Sequence, residues 1–287
     1  IGDEILCDKT SHIVNAEAGG IGMLGAMVRP IDGNNGIYTP KQLSAAIRPD
    51  RRHAPKSRMV EVEQTSNAGG GTIWPLETIE KIAAITKEHG LILHMDGARL
   101  LNAVVASGVA AKDYAQSFDS LWIDLSKGLG CPIGGVLAGS REFIEAAWHW
   151  KQRLGGAMRQ SGLIAAAGIY ALDHQIDRMA DDHANARLFA EKVANLPGIS
   201  VDLETVQTNM IFFDVSGAGI TAQQMETGLT NQGVKISAVS GARLRAVTHL
   251  DISSDDIEDA ANAIRAVLEQ TPKNTKSPSS TTVEQVL

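Results

Sequence analysis

The stretch DLSKGLGCPIGG, residues 124–135, sets a lysine between a hydroxyl residue and a glycine, directly after the apolar run SLWIDL. Ser126, Gly128, Gly130, Gly134 and Gly135 crowd Lys127. A lysine in such a turn is expected to be desolvated, which lowers an ammonium pKa and leaves a nucleophilic amine. A second stretch, LILHMDGARL, places Asp96 just past another apolar run, with Arg99 one helical turn on. A third, MVEVEQTSN, ends in Glu63, Thr65, Ser66 and Asn67. A lone aspartate after a strand more often closes a turn than catalyses, and a lone Ser-Lys-Gly is a weak signal. The ordered pair, Asp96 and then Lys127 with a strand between, is much stronger. An amine and a carboxylate at neighbouring strand ends are what a pyridoxal-phosphate site needs. The lysine forms the Schiff base, and the carboxylate pairs with the protonated pyridine nitrogen and keeps the ring an electron sink.

Something must hold these strand ends side by side. Short apolar runs alternate with helical stretches over the first half of the chain. EILCD (4–8), RMVEVEQ (58–64), LILHMD (91–96), SLWIDL (120–125) and GGVLAG (134–139) read as strands. TPKQLSAAIRP (39–49) reads as a helix with a threonine cap and a proline at its first position. PLETIEKIAAITKEHG (75–90) is a helix with Leu76, Ile79, Ile82, Ala83 and Ile85 on one face and Gly90 as its stop. GGIGMLGAMV (19–28) reads as a helix or a helix start. This alternation predicts an α/β fold with a mostly parallel sheet and helices on both faces. In such a sheet ligands sit at the carboxyl ends of the strands, where the three polar stretches fall. Beyond residue 172 the pattern changes. A long amphipathic helix (177–196), the short strands SVDLE, MIFFDV, GVKIS and LRAVTH, and a helix over 253–270 predict a smaller α+β domain. The expected division is 1–172, 173–270 and a Pro/Ser/Thr/Lys-rich tail over 271–287, which reads as disordered.

Composition narrows the class. Of 287 residues 44% are apolar, enough for a sizeable core, and the formal net charge of −7 speaks against nucleic acid or an anionic membrane as partner. There are two cysteines, Cys7 and Cys131, with no Cys-x-x-Cys or Cys/His metal spacing. Neither a disulfide framework nor a zinc site is expected, and the pattern suits a reducing cytoplasm. No apolar run approaches the roughly 18 residues a membrane-spanning helix needs.

DGARL followed by LSKGLG.P.G resembles the threonine aldolase family, within the β-eliminating lyase group of fold-type I pyridoxal-phosphate enzymes. SHIVNAEAGG (11–20), GGAMRQSGLIAAAGIYAL (155–172) and RAVTHLDI (245–252) match further landmarks, and the likeness runs over roughly residues 2–268. The resemblance implies a pyridoxal 5'-phosphate enzyme that cleaves threonine, allo-threonine or another β-hydroxy-α-amino acid, such as phenylserine, to glycine and an aldehyde. It implies L rather than D selectivity. It assigns Lys127 to the internal aldimine, Asp96 to the pyridine nitrogen and His12 to stacking on the ring. Arg99 is assigned to the phenolic oxygen or the substrate carboxylate, Arg245 to the substrate carboxylate, and Ser126 to the phosphate. Arg159 would reach the phosphate of a neighbouring subunit's cofactor, in a homotetramer with sites built across the tight dimer interface.

Two departures from the family pattern stand out. The family's SGTMAN-like glycine turn, which cradles the phosphate, has no counterpart upstream of His12, so the chain is expected to be N-terminally incomplete. Ser66 stands where many members carry a second active-site histidine after Glu-Asn-Thr. A serine does not titrate near neutral pH, so His12, acting directly or through a water, becomes the candidate base, and Ser66 lines the substrate. The alternatives are another lyase reaction on the same cofactor, such as β-elimination, or a non-catalytic fragment.

Overall fold

The computed structural model describes residues 1–270, and the tail expected to be disordered lies outside them. Six strands form one sheet: β1 (Glu4–Asp8), β2 (Met27–Ile31), β3 (Ser57–Glu63), β4 (Ile92–Gly97), β5 (Ser120–Asp124) and β6 (Gly135–Gly139). Their order is β2-β1-β3-β4-β5-β6. All neighbours run parallel except β5 and β6, which are antiparallel. Between the strands lie α1 (His12–Asn15), α2 (Gly20–Met23), α3 (Pro40–Ala46), α4 (Leu76–Glu88), α5 (Leu100–Ser107) and α6 (Ala111–Ala115). After β6 come α7 (Arg141–Arg153), α8 (Gly162–His174) and α9 (Met179–Ala194). The remaining elements are β7 (Met210–Asp214), α10 (Ala222–Thr230), β8 (Ser237–Ser240), β9 (Arg243–Val247) and α11 (Ser254–Gln270). The second sheet has the order β7-β9-β8, with β8 and β9 antiparallel.

The chain forms two compact units. One comprises Ile1–Arg187, Leu203–Ile211 and Val247–Ser253; the other comprises Leu188–Asp202, Phe212–Ala246 and the chain from Ser254. Residues 173–187, expected in the smaller domain, cluster with the first unit.

Period-2 alternation gives the main sheet its two faces. Leu6, Val60, Val62, Leu93 and Met95 point to one face and pack with Leu43, Ile79, Ile82, Leu100, Ala103 and Tyr114 from α3 to α6. Trp74 and Tyr38 meet edge to face within this core, with ring centroids 4.7 Å apart. The other face carries Ile5, Met59, Glu61, His94, Asp96 and Trp122. With Ile13, Glu17, Ile21 and Leu24 these line a cavity of about 610 Å³.

Local chemistry sets the element ends. Thr39 caps α3 in a full capping box with Gln42, behind Pro40 at the first turn. The stretch 19–28 is not one helix. Gly19 and Gly25 hold φ of +77° and +79°, so α2 lasts one turn and the chain leaves it as β2. β2 contains Pro30, which the sheet tolerates because β2 is an edge strand. SVDLE contributes a single bridge at Ser200 and a short 3₁₀ turn over Leu203–Thr205, and the strand placed at GVKIS begins only at Ser237.

Candidate active site

The carboxyl ends of β3, β4 and β5 lie side by side, with Glu63 paired to Asp96 and Asp96 to Trp122. Asp96 is 6% exposed, and one carboxylate oxygen accepts the Ala98 N–H at 3.0 Å. Burial raises its pKa above the ordinary carboxylate value, against the pull of the Ala98 N–H, Lys127 and His12. Lys127 and His12 both act on the Asp96 carboxyl through charge.

Lys127 follows β5 on a short turn. Its Nζ lies 3.0 Å from Asp124 Oδ2 and 5.3 Å from the centroid of the Trp122 ring. The side chain is 32% exposed, so the glycine-lined turn does not bury it as expected. The glycines set the path of the chain instead. Gly130 has φ +70°, and a Cβ there would run into the Leu250 side chain. Asp124 was not singled out by its sequence context. Besides Lys127 it accepts the Ser126 N–H at 2.8 Å and the Ser126 hydroxyl at 2.6 Å. Burial pushes the Asp124 pKa up, but Ser126 and Lys127 outweigh it and hold the carboxyl below its usual value. Ser126 is exposed, and its hydroxyl proton is given to Asp124.

His12 opens α1. Its backbone N–H donates to Glu63 Oε2 at 2.8 Å, and its Nδ1 lies 2.5 Å from Glu17 Oε1. The other Glu63 oxygen accepts the Asn67 N–H at 2.6 Å. Arg99 Nη1 donates to the Asn67 side-chain oxygen at 3.4 Å, and the Arg99 backbone N–H donates to Gln64 O at 3.1 Å. Ser66 is 3% exposed; its N–H donates to Thr72 O and its Oγ accepts the Gly69 N–H at 3.2 Å. Its place is inside the loop after β3. Arg159 is exposed in the turn between α7 and α8. Arg245, half-buried, sits on β9 opposite Ser237, in the second unit.

Glu61, Glu63 and Asp96 place carboxylate oxygens within 4.8 Å of one another, a donor set of the kind hard cations use. Burial, then mutual repulsion, raises Glu61 well above the carboxylate range, and burial also raises Glu63. Ser11 donates its hydroxyl to Glu61 Oε2 at 3.0 Å. The alternating acids of VEVE were the sequence signal for this cluster, because a period of two puts Glu61 and Glu63 on one face.

The model of the beta-eliminating lyase family matches residues 1–216. The chain is 37% identical over 262 residues to low-specificity L-threonine aldolase 1 of Arabidopsis thaliana, covering 89% of this chain and 73% of that one. It is 37% identical over 269 residues to the low specificity L-threonine aldolase of Escherichia coli K12, covering 93% and 78%. Among solved structures, the Leishmania major threonine aldolase superposes with a TM-score of 0.78 at 19% identity, over 93% of this chain and 78% of that one. The cysteine desulfurase CsdA of E. coli superposes with a TM-score of 0.68 at 22% identity, over 93% and 72%. These two likenesses speak for the fold: a fold-type I architecture shared by enzymes of different chemistry. With its Asp96–Lys127 pair on adjoining strand ends, the chain belongs to the low-specificity L-threonine aldolase family of beta-eliminating lyases.

Proposed function

We propose that this protein is a pyridoxal-phosphate-dependent lyase that cleaves L-threonine, L-allo-threonine and related β-hydroxy-α-amino acids to glycine and an aldehyde. The observation that carries the reading is the buried Asp96 carboxylate one strand over from the Lys127 amine. The residues present fit the cofactor's ring. The Asp96 carboxylate is buried and its pKa stays raised despite Lys127 and His12, and a protonated pyridine nitrogen is a cationic partner suited to it. Bound there, pyridoxal phosphate supplies a sink for the electrons of the breaking Cα–Cβ bond.

The chain's own residues do the rest. Lys127 is the amine that would hold the cofactor's aldehyde. Arg99 takes the substrate carboxylate, for which the planar guanidinium fork is suited, and the resemblance assigns Arg245 to the same group. His12 takes the β-hydroxyl proton. His12 Nδ1 meets Glu17 Oε1 at 2.5 Å, and in the neutral ring that donates its Nδ1 proton there the lone pair of a base lies at Nε2. Ser126 and Arg159 are assigned to the phosphate, and Ser66 to the substrate side of the site.

Association into a homotetramer belongs to the same proposal. Leu163, Ile169 and Tyr170 on α8 are 82%, 64% and 60% exposed, with Trp148 and Trp150 about half exposed on α7. Apolar surface of this extent marks a contact with another protein surface. Light scattering should give a tetramer that Leu163→Glu disperses to smaller species; a monomeric native protein would remove this part. We place the enzyme in the cytoplasm, where free cysteines such as Cys7 and Cys131 persist. Among the described residues no helix is long and apolar enough to cross a membrane.

The test is the absorbance of the purified protein with pyridoxal phosphate, before and after glycine, followed by product analysis on threonine. A band of bound cofactor that changes with glycine, and release of acetaldehyde with glycine, are expected. A keto acid and ammonia in their place would reassign the reaction to β-elimination. No band at all would leave a non-catalytic chain.

A further inference from the structure

We propose that Glu63 is a positioning residue, whose two carboxylate oxygens clamp the His12 segment and the Asn67 loop into one frame around Asp96. The proposal rests on the cofactor reading above and adds a residue to it. Glu63 is 5% exposed at the end of β3 and is paired in register with Asp96 on β4. Its two oxygens are used separately. Oε2 accepts the backbone N–H of His12 at 2.8 Å, and Oε1 accepts that of Asn67 at 2.6 Å.

The two donors come from segments that share no strand. His12 begins α1, a one-turn helix whose first N–H groups have no partner within the helix. Asn67 belongs to the loop after β3, and its side-chain oxygen accepts from Arg99 Nη1 at 3.4 Å. One carboxylate therefore ties the proposed base to the loop that meets the Arg99 guanidinium. Among the described residues, the groups facing Glu63 are acidic on the sheet, Glu61 and Asp96, with the His12 imidazole beside them. A buried acid among acids is costly, and a side chain that merely filled space would do better apolar. A carboxylate is the side chain that accepts two N–H groups pointing in from two directions, with no donor of its own to satisfy.

The test needs no cofactor for its first part. In native protein free of pyridoxal phosphate, the His12 and Asn67 amides should exchange with deuterium as slowly as strand amides such as Val60. Glu63→Gln keeps the shape but replaces one acceptor oxygen by an NH2 group. Exchange at His12 or Asn67 should then rise about tenfold with Val60 unchanged, the scale of one lost hydrogen bond. The dissociation constant of pyridoxal phosphate, read by absorbance, should rise about tenfold in the same variant while the melting temperature stays near that of native protein. Fast exchange at both amides in the native protein overturns the proposal, and this decides the matter even if the variant does not fold. A variant with faster exchange and unchanged cofactor affinity also overturns it, because Glu63 would then be structural only. Native protein with slow amides that binds no pyridoxal phosphate overturns the cofactor reading, and the positioning role with it.

Discussion

Lys127→Ala is expected to lose at least about 10³-fold in threonine cleavage, the scale of removing a covalent catalyst while the rest of its site remains. The lysine sits where a nucleophilic amine is needed, at the end of β5 and beside the strand that carries Asp96. Alanine fits the turn without strain, since the conformations that demand glycine lie at Gly130 and Gly134 and not at residue 127. The variant should fold, and its circular dichroism should match that of the native protein. Its absorbance with pyridoxal phosphate should lose the band that depends on a covalent hold. The surrounding charges sharpen the test. Asp124, released from Lys127, keeps the Ser126 N–H and hydroxyl as donors, so its carboxylate is not left bare. A drop in rate is then chargeable to the missing amine and not to a collapsed turn. A Lys127→Ala protein that kept both its band and its turnover would sink the assignment of this lysine.

The candidate site was readable where its residues end strands. Asp96 and Lys127 each follow an apolar run and precede a glycine, so type and position point together. What the chain order could not show was how the charges around them are satisfied. The turn DLSKG suggested a lysine stripped of water, but Asp124 turns back across three residues to meet it. That pairing depends on the turn bringing the Asp124 carboxylate onto the same side as both Ser126 and Lys127. Nothing in the spacing announces it beyond an acid at the end of an apolar strand. Glu63 shows the same limit over a longer range. Its acceptors meet donors 51 and 4 residues away, and only the parallel pairing of β1, β3 and β4 creates the first of these contacts.

The fold was legible in proportion to local signal. Helix α3 has its threonine, proline and glutamine in the positions a capping box requires, and it forms where these place it. The parallel core of the sheet follows from apolar strands alternating with helices. β2 escaped because MVRPI carries a proline and an arginine, which argue against a strand unless it lies at an edge. Edge or centre is decided by topology, which strand composition alone does not encode. GVKIS misled in the opposite sense. Its alternation is that of a strand, yet Gly233 holds φ +81° and the extended pairing starts four residues later.

Asp96→Asn should separate stability from activity. Asparagine is nearly isosteric, and its side-chain oxygen can still accept the Ala98 N–H. What is lost is a charge that burial disfavours. Because the Asp96 pKa is raised in the folded protein, the folded state binds this proton more tightly than the unfolded chain does. The stability that goes with the bound proton is fully present below the unfolded-state pKa. It is lost as pH rises through the raised folded value. Glu61 and Glu63, raised by burial as well, act in the same direction, while Asp124, held low, acts in the other. At neutral pH the cofactor-free Asp96→Asn protein should therefore melt at or above the native temperature, with a shallower loss of stability toward higher pH. Turnover should move the opposite way. Under the proposed reading, the Asp96 charge would keep the cofactor's ring nitrogen protonated in the loaded enzyme. Removing a preorganised charge of this kind costs about 10²–10³-fold in kcat. Thermal melts across pH together with threonine kinetics check both halves. A variant less stable than native and fully active would mean that Asp96 is a structural turn residue, as a lone aspartate after a strand so often is.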